Sequence, residues 1–107
     1  MKLKTISTII LSVLLWMVTA VTCQAEWVGA EVTAYTHTGC VTASGEWPYE
    51  GGVACNFVPL GTIIIIDGVR YVVNDRSGAP GIIDVFMNSY DACINFGRQY
   101  KQVYIER

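Results

Sequence analysis

The segment TIIIIDGVRYVV, residues 62–73, contains the clearest structural signal in this chain of 107 residues. Two runs rich in β-branched residues flank the dipeptide Asp67-Gly68. Asp-Gly favours a two-residue turn in which both residues have positive φ, so the segment predicts a β-hairpin. The run of four isoleucines indicates a strand whose two faces are both at least partly covered, as in a closed barrel.

Short strands are predicted on both sides of this hairpin, together with one helix. The additional predicted elements are the strands Glu31–Tyr35, Val53–Cys55, Ile82–Met87 and Gln102–Glu106 and a helix from Ser89 to Asn95. Ser89 can cap the start of the helix, and Gly97 can end it. Many short strands with a single small helix favour a β-barrel over an open α/β sheet.

The first 25 residues have the features of a secretory signal peptide. Two lysines precede an apolar stretch, residues 6–20, and Cys23-Gln-Ala25 offers small residues at the positions that a signal peptidase reads. The alternative is a retained membrane anchor, but the apolar run contains hydroxyl residues and is shorter than the ~20 residues that span a bilayer. We therefore predict cleavage after Ala25, a secreted or cell-envelope location, and no stable membrane insertion of the mature part.

The mature part, residues 26–107, has the length of one domain, and no repeat or linker indicates a second. Without Lys2 and Lys4, five basic residues face nine acidic ones, which is a net charge of −4. Because nucleic-acid binding normally needs a basic patch, no nucleic-acid partner is predicted. We expect a monomer.

Three cysteines remain after cleavage, Cys40, Cys55 and Cys93, so an oxidising compartment permits one disulfide and one leftover thiol. A Cys40–Cys55 disulfide would cross-link the two ends of a Gly-rich loop. Cys93 falls in the predicted helix, where a buried thiol behaves as a small apolar residue. We therefore predict a Cys40–Cys55 disulfide. His37 is the only histidine and no paired ligand spacing is present, so no metal site and no cofactor are predicted.

Two aspartates, Asp75 and Asp84, are the candidates for chemistry. With a period of two residues, Asp84 shares a strand face with Ile82 and Phe86. Apolar surroundings disfavour the charged form and raise the pKa of such a carboxyl, which suits a general acid near neutral pH. The alternative is a structural role, in which Asp84 accepts backbone N–H bonds from the loop 77–81.

Other polar and aromatic residues are candidates for substrate contacts. Arg76 is either an ion-pair partner for Asp75 or a ligand for a substrate carboxylate. Trp47, Tyr49 and Tyr35 could form an apolar platform for sugar rings, although aromatic residues of a small domain are more often part of its core.

Seven short motifs occur in one order along the mature chain. They are Thr33-Ala-Tyr35, Thr42-Ala-Ser-Gly45, Pro59-Leu-Gly-Thr62, Asn74-Asp75, Ile83-Asp-Val-Phe86, Phe96-Gly97 and Val103-Tyr-Ile105. In this order they resemble the 3D domains, a family named for three aspartates and related to lytic murein transglycosylase A. The run Asn74-Asp-Arg76 also resembles rare-lipoprotein-A type domains. The resemblance implies a mainly-β fold, a six-stranded double-psi β-barrel with one short helix.

The resemblance also implies a function. Both families include lytic transglycosylases, which cleave the β-1,4 link between N-acetylmuramic acid and N-acetylglucosamine in peptidoglycan and leave a 1,6-anhydro sugar, without a metal. It implies that Asp84 is the acid and base, that Asp75 supports it, and that peptidoglycan glycan strands are the partner. The residues that would then contact substrate are Tyr35, Thr42, Ser44, Trp47, Asn56 and Arg76.

Two features depart from the family pattern. Asn56 lies in the region where the family usually has an aspartate before Pro-Leu-Gly, and the loop from Asp75 to Asp84 is shorter than usual. A rival hypothesis accommodates Asn56 more easily: a non-catalytic, expansin-like module that binds the cell wall through the same groove. A third hypothesis is a hydrolase that uses Asp75 and Asp84 with water and leaves reducing ends.

Overall fold

The computed structural model describes residues 25–106. They form six strands and one helix: β1 (Glu26–Tyr35), β2 (Gly52–Cys55), β3 (Ile63–Ile66), β4 (Val69–Asp75), β5 (Ile82–Phe86), α1 (Tyr90–Phe96) and β6 (Gln99–Glu106). The strands pair in the order β1-β5-β2-β4-β3-β6 and close into a barrel. The predicted mainly-β barrel with one short helix is confirmed.

The predicted hairpin is present as strands β3 and β4. The strands pair antiparallel, with Ile66 opposite Val69 across the turn. Asp67 and Gly68 have φ values of 50° and 80°, as a two-residue hairpin turn requires. Ile64 and Ile66 are buried, and Ile63 and Ile65 are half-buried. Both faces of β3 are therefore at least partly covered.

Parallel and antiparallel pairs are mixed in the barrel. Strands β1 and β5 pair parallel, as do β2 and β4, and the other four pairs are antiparallel. Each parallel pair joins strands that are not consecutive in the chain. Helix α1 contacts β1.

One set of alternating residues fills the interior of the barrel. The fully buried members include Val32, Val53, Ile64, Val73, Ile83, Val103 and Ile105. On β5 the buried residues Ile83 and Val85 flank Asp84, which is half-buried. The period of two therefore directs Asp84 to the outer face of the barrel wall.

Two strands begin earlier than their sequence pattern predicted. Strand β1 begins at Glu26 and β6 at Gln99. These two strands pair antiparallel from Glu26 opposite Ile105 to Val32 opposite Gln99. Hydrogen bonds between backbones extend this pairing over residues whose side chains are exposed, so hydrophobic alternation does not mark its full length.

The predicted Cys40–Cys55 disulfide is not present. Cys40, Cys55 and Cys93 are all free thiols. Cys55 is completely buried in β2, whereas Cys40 lies in an exposed loop. The two predicted partners therefore lie in different surroundings, one in the barrel wall and the other in an exposed loop.

The predicted signal peptide, residues 1–25, lies almost entirely outside the described residues. In the part of the chain that is described, no helix has the length and apolar character needed to cross a membrane.

Gly52, the first residue of β2, lies under the buried side chain of Asn74. A Cβ atom at position 52 would lie 2.4 Å from Asn74 Nδ2, and Asn74 is only 3% exposed, so its amide has little room to move. We expect Gly52→Ala to lower the free energy of unfolding by about 2 kcal/mol through overpacking. Denaturant unfolding measures the loss. Gly78→Ala is the matched control because no heavy atom lies within 4 Å of its added Cβ; equal losses in both variants would contradict the explanation.

Candidate active site

Four residues form a row across four neighbouring strands. Thr33 on β1 is opposite Asp84 on β5, Asp84 is opposite Ala54 on β2, and Ala54 is opposite Asp75 on β4. The two aspartates are thus two strand spacings apart, about 10 Å between Cα atoms. The small side chain of Ala54 lies between them. The barrel therefore brings together the two acids that the sequence singled out.

Asp84 lies in surroundings that favour its protonated form. Burial raises the pKa of this carboxyl, and the charge of Asp75 raises it further. Thr33 Oγ1 donates a hydrogen bond to Asp84 Oδ1 at 3.0 Å, which offsets part of the increase in pKa. Asp84 can therefore hold a proton at a higher pH than an exposed aspartate does.

The loop 77–81 does not depend on Asp84. Ser77 Oγ lies within hydrogen-bond distance of the carbonyl oxygens of Ala79 and Ile82, at 3.1 and 3.2 Å, and can donate to either. Within residues 25–106 no backbone N–H of this loop donates to Asp84. In the described part of the chain, Asp84 therefore does not hold this loop through backbone N–H bonds, as the structural alternative predicted.

Asp75 holds a neighbouring loop in place. Its Oδ1 atom accepts hydrogen bonds from the backbone N–H groups of Ala43 and Arg76, at 3.0 and 2.8 Å. A further backbone bond joins Ser44 N–H to the carbonyl of Asn74. One carboxylate oxygen thus connects the end of β4 to the loop 42–46.

Tyr35 lies beside Thr33 on this side of the barrel, and its hydroxyl is buried without a hydrogen-bond partner in the described part of the chain. Tyr35 ends β1 two residues after Thr33 and therefore faces the same side. The edge of Phe86 packs against its ring at a centroid distance of 5.5 Å. Burial, and then the charges of Asp75 and Asp84, raise the pKa of Tyr35 to about 12. Its ring is part of the packing, so the predicted role as a flat platform for sugars does not match its surroundings.

Thr42 and Ser44 lie beside Asp75 but bond within their own loop. Thr42 is buried, and its hydroxyl donates to the carbonyl of Glu46 at 2.8 Å. The hydroxyl oxygens of Thr42 and Ser44 lie 2.8 Å apart. These bonds lie within the loop that Asp75 holds, in which Thr42 is buried and Ser44 is exposed.

Within residues 25–106 the Arg76 side chain does not form the predicted ion pair with Asp75. Its guanidinium donates from Nη1 to the carbonyl oxygens of Cys55 and Val58, at 3.0 and 2.6 Å. These bonds hold the turn that follows β2. Only the backbone N–H of Arg76 contacts Asp75.

The two predicted substrate contacts that remain are exposed. Trp47 is 65% exposed, and Asn56 is exposed directly after β2. In the described part of the chain, no hydrogen bond or ring contact joins either side chain to the acid pair. His37, a loop residue, packs its ring against Phe86.

Two clefts lie on the described part of the barrel, and neither has Asp75 or Asp84 in its lining. A cleft of about 410 Å³ at one end of the barrel is lined by residues that include Glu50, Tyr71, Phe86 and Met87, but by neither aspartate. A second cleft, of about 340 Å³, lies between β1 and β6 and also excludes both aspartates.

Thr33 is the site residue that sequence reasoning missed. The alternation of β1 places Thr33 and Tyr35 on one face, which was visible in the sequence. The parallel register of β1 and β5 places this face beside Asp84. Thr33 and Asp84 are 51 residues apart in the chain, so the sequence pattern of β1 alone does not reveal this contact.

Fold and site together define a small closed six-stranded β-barrel with two acidic side chains on the outside of its wall. In the part of the chain that is described, no group of three or more His, Cys, Asp or Glu residues could hold a metal ion. No protein-family model and no curated protein matches this chain. The similarity to 3D domains therefore stays a prediction that depends on the quoted motifs.

Proposed function

We propose that this protein is a secreted lytic transglycosylase that cleaves the β-1,4 bond between N-acetylmuramic acid and N-acetylglucosamine in peptidoglycan. One observation carries the proposal. Asp84 lies half-buried on the barrel wall, where burial raises its pKa and Asp75 is two strands away. A carboxyl whose pKa is raised is better suited than an ordinary aspartate to protonate a leaving oxygen of a bound polymer.

The chemistry needs one group that gives and then takes a proton. Asp84 donates its proton to the glycosidic oxygen while the bond from this oxygen to C1 of the muramic residue breaks. The Asp84 carboxylate then accepts the proton of the muramic 6-hydroxyl, whose oxygen bonds to C1. This closes the 1,6-anhydro ring, returns the proton to Asp84 and consumes no water.

Asp75 supports Asp84 through its charge. Two backbone N–H groups hold its carboxylate in position. Its negative charge raises the pKa of Asp84 and so favours the protonated acid before the reaction. Asp75 also holds the loop 42–46. The position of the charge that acts on Asp84 is therefore linked to the position of this loop.

The proposal includes the double-psi form of the barrel. The two parallel pairs in the closed barrel, β1 with β5 and β2 with β4, support this form, as does the order of the motifs. It also includes peptidoglycan glycan strands as partner, a monomeric state and a location outside the cytoplasm.

A non-catalytic wall-binding module is the second candidate. The observation that favours it is the exposure of two aromatic side chains in the loop before β2, Trp47 at 65% and Tyr49 at 40%. Exposed aromatic rings are suitable surfaces for stacking on sugars. Asn56 also fits this candidate, because binding requires no third acid.

Digestion of purified peptidoglycan tests the proposal. The full chain is expressed, the mature product is purified, and its intact mass is expected to place the N-terminus at Glu26. Mass spectrometry of the released fragments is expected to show 1,6-anhydro ends. Reducing ends would instead establish a hydrolase, and binding without release by the folded protein would establish the wall-binding module.

A further inference from the structure

Gly29 is an exposed glycine in the interior of strand β1. Its φ lies outside the left-handed region, and its pairing with Gln102 on β6 continues in regular register on both sides, without a bulge. A Cβ atom at position 29 would lie 3.2 Å from Gln102 Nε2, the far end of an exposed side chain that can move. Glycine weakens the interior of a strand and often marks a place where a ligand approaches the backbone closely.

The missing side chain forms part of a cleft of about 340 Å³ on the outer face of the β1–β6 pair. Tyr100 lies opposite Glu31, and Gln102 lies opposite Gly29, so a phenol ring, a carboxylate and an amide surround exposed backbone. The Tyr100 side chain is 78% exposed. This volume is at the lower end of the roughly 300–1,000 Å³ of small-molecule sites, so the cleft suits a small ligand unit.

The charged groups of the cleft are already paired. Arg98 donates to Glu31 Oε1, and Lys101 Nζ lies 2.7 Å from Asp67 Oδ2. A charged ligand would have to compete with these ion pairs, whereas an uncharged one would not. The groups that remain are an exposed aromatic ring and an amide that can both donate and accept hydrogen bonds. This combination suits a neutral sugar ring, whose C–H face packs against the phenol while its hydroxyls bond the amide.

The cleft lies on the same strand face as the contact to the candidate acid. Residues 29, 31 and 33 alternate onto one side of β1, and Thr33 donates to Asp84. The four-residue distance from Gly29 to Thr33 is about 13 Å along the strand. An extended polysaccharide can therefore reach both places at once.

We propose that this cleft is a second glycan subsite, in which a sugar unit stacks on Tyr100, bonds the amide of Gln102 and lies against the backbone of Gly29. The inference rests on the proposed function, because it assigns to the cleft another unit of the strand that Asp84 cleaves. The ligand is N-acetylglucosamine, since this sugar of the strand is uncharged and carries no peptide.

Calorimetric titration of the mature protein with the β-1,4-linked tetramer of N-acetylglucosamine tests the subsite. Tyr100→Ala removes the stacking ring and is expected to raise the Kd about tenfold. Gly29→Val fills the cleft beside the backbone and is expected to raise the Kd at least as much. Its Tm is expected to be no lower than that of the wild type, because valine suits a strand better than glycine does.

Tyr90→Ala is the matched control, since Tyr90 is 70% exposed on helix α1 and does not line the cleft. Its Kd is expected to equal that of the wild type. An unchanged Kd in Tyr100→Ala and Gly29→Val, or no binding of the tetramer by the folded wild type, would overturn the subsite. Release of anhydro-muramyl fragments by the same wild-type protein would still support the proposed function, so the two failures are distinguishable.

Discussion

Asp84→Asn is expected to lower turnover on peptidoglycan by at least about 100-fold, the lower end of what a general acid contributes. The asparagine side chain has nearly the same shape, and its Oδ1 can still accept the hydrogen bond from Thr33. Its amide cannot give a proton to the leaving oxygen or take one from the 6-hydroxyl. The measurement is the rate at which anhydro-muramyl fragments are released.

The same variant is expected to be at least as stable as the wild type at neutral pH. Burial raises the pKa of Asp84, so the folded state binds this proton more strongly than the unfolded chain does. The stability from Asp84 is fully present below the unfolded pKa and is lost as pH rises through the folded pKa. Asparagine carries no charge and avoids this loss, which thermal unfolding at several pH values can measure.

Asp67→Asn is the matched control for Asp84→Asn. Asp67 lies in the hairpin turn at φ 50°, a conformation that asparagine tolerates, and its ion pair with Lys101 is exposed. Turnover is expected to stay unchanged. Equal turnover in the wild type and Asp84→Asn would contradict the role of Asp84 as acid, and equal loss in both variants would show that the assay follows stability instead of chemistry.

Two substitutions of Asp75 are expected to separate its charge from its hydrogen bonds. Asparagine keeps an oxygen that can accept from Ala43 N–H and Arg76 N–H, whereas alanine removes it. Since hydrogen bonds to a charged group contribute about 1.5–3 kcal/mol each, Asp75→Ala is expected to lower the free energy of unfolding by about 3 kcal/mol. Asp75→Asn is expected to lose about 1 kcal/mol, because its bonds are neutral.

The effect on activity follows from the charge. Because the negative charge of Asp75 raises the pKa of Asp84, either substitution is expected to lower that pKa. The high-pH limb of the activity profile, on which Asp84 loses its proton, then moves to lower pH. A full pH profile of Asp75→Asn measures this shift. An unshifted pH profile would show that Asp75 acts on the loop 42–46 alone. Equal losses in the free energy of unfolding for both variants would show that the charge of Asp75, and not its acceptor oxygen, holds that loop.

Much of the fold was predictable because its strands carry local signals. The Asp67-Gly68 turn and the isoleucine run are sufficient to predict the hairpin of β3 and β4. The N-terminal cap at Ser89 and the end at Gly97 are where the helix signals placed them. The additional length of β1 was not predictable, since backbone pairing with β6 and not side-chain alternation defines it.

The site was predictable only in part. The period of two was sufficient to single out Asp84 in an apolar strand, and the structure places it half-buried. The surroundings of Arg76 and Cys55 were not predictable. The guanidinium bonds backbone carbonyls that are 21 and 18 residues away, and Cys55 is buried in strand β2 whereas Cys40 lies in an exposed loop.

By itself the sequence determined a mainly-β domain, its central hairpin and the two aspartates that stand apart from the other acids. These properties depend on residue type and short spacing, which act through backbone conformation and alternation along one strand. Only the tertiary structure decided that Asp84 and Asp75 lie two strands apart and that Thr33 bonds Asp84. Strand order and register come from closing the barrel around its core, and a pattern within one strand does not contain them.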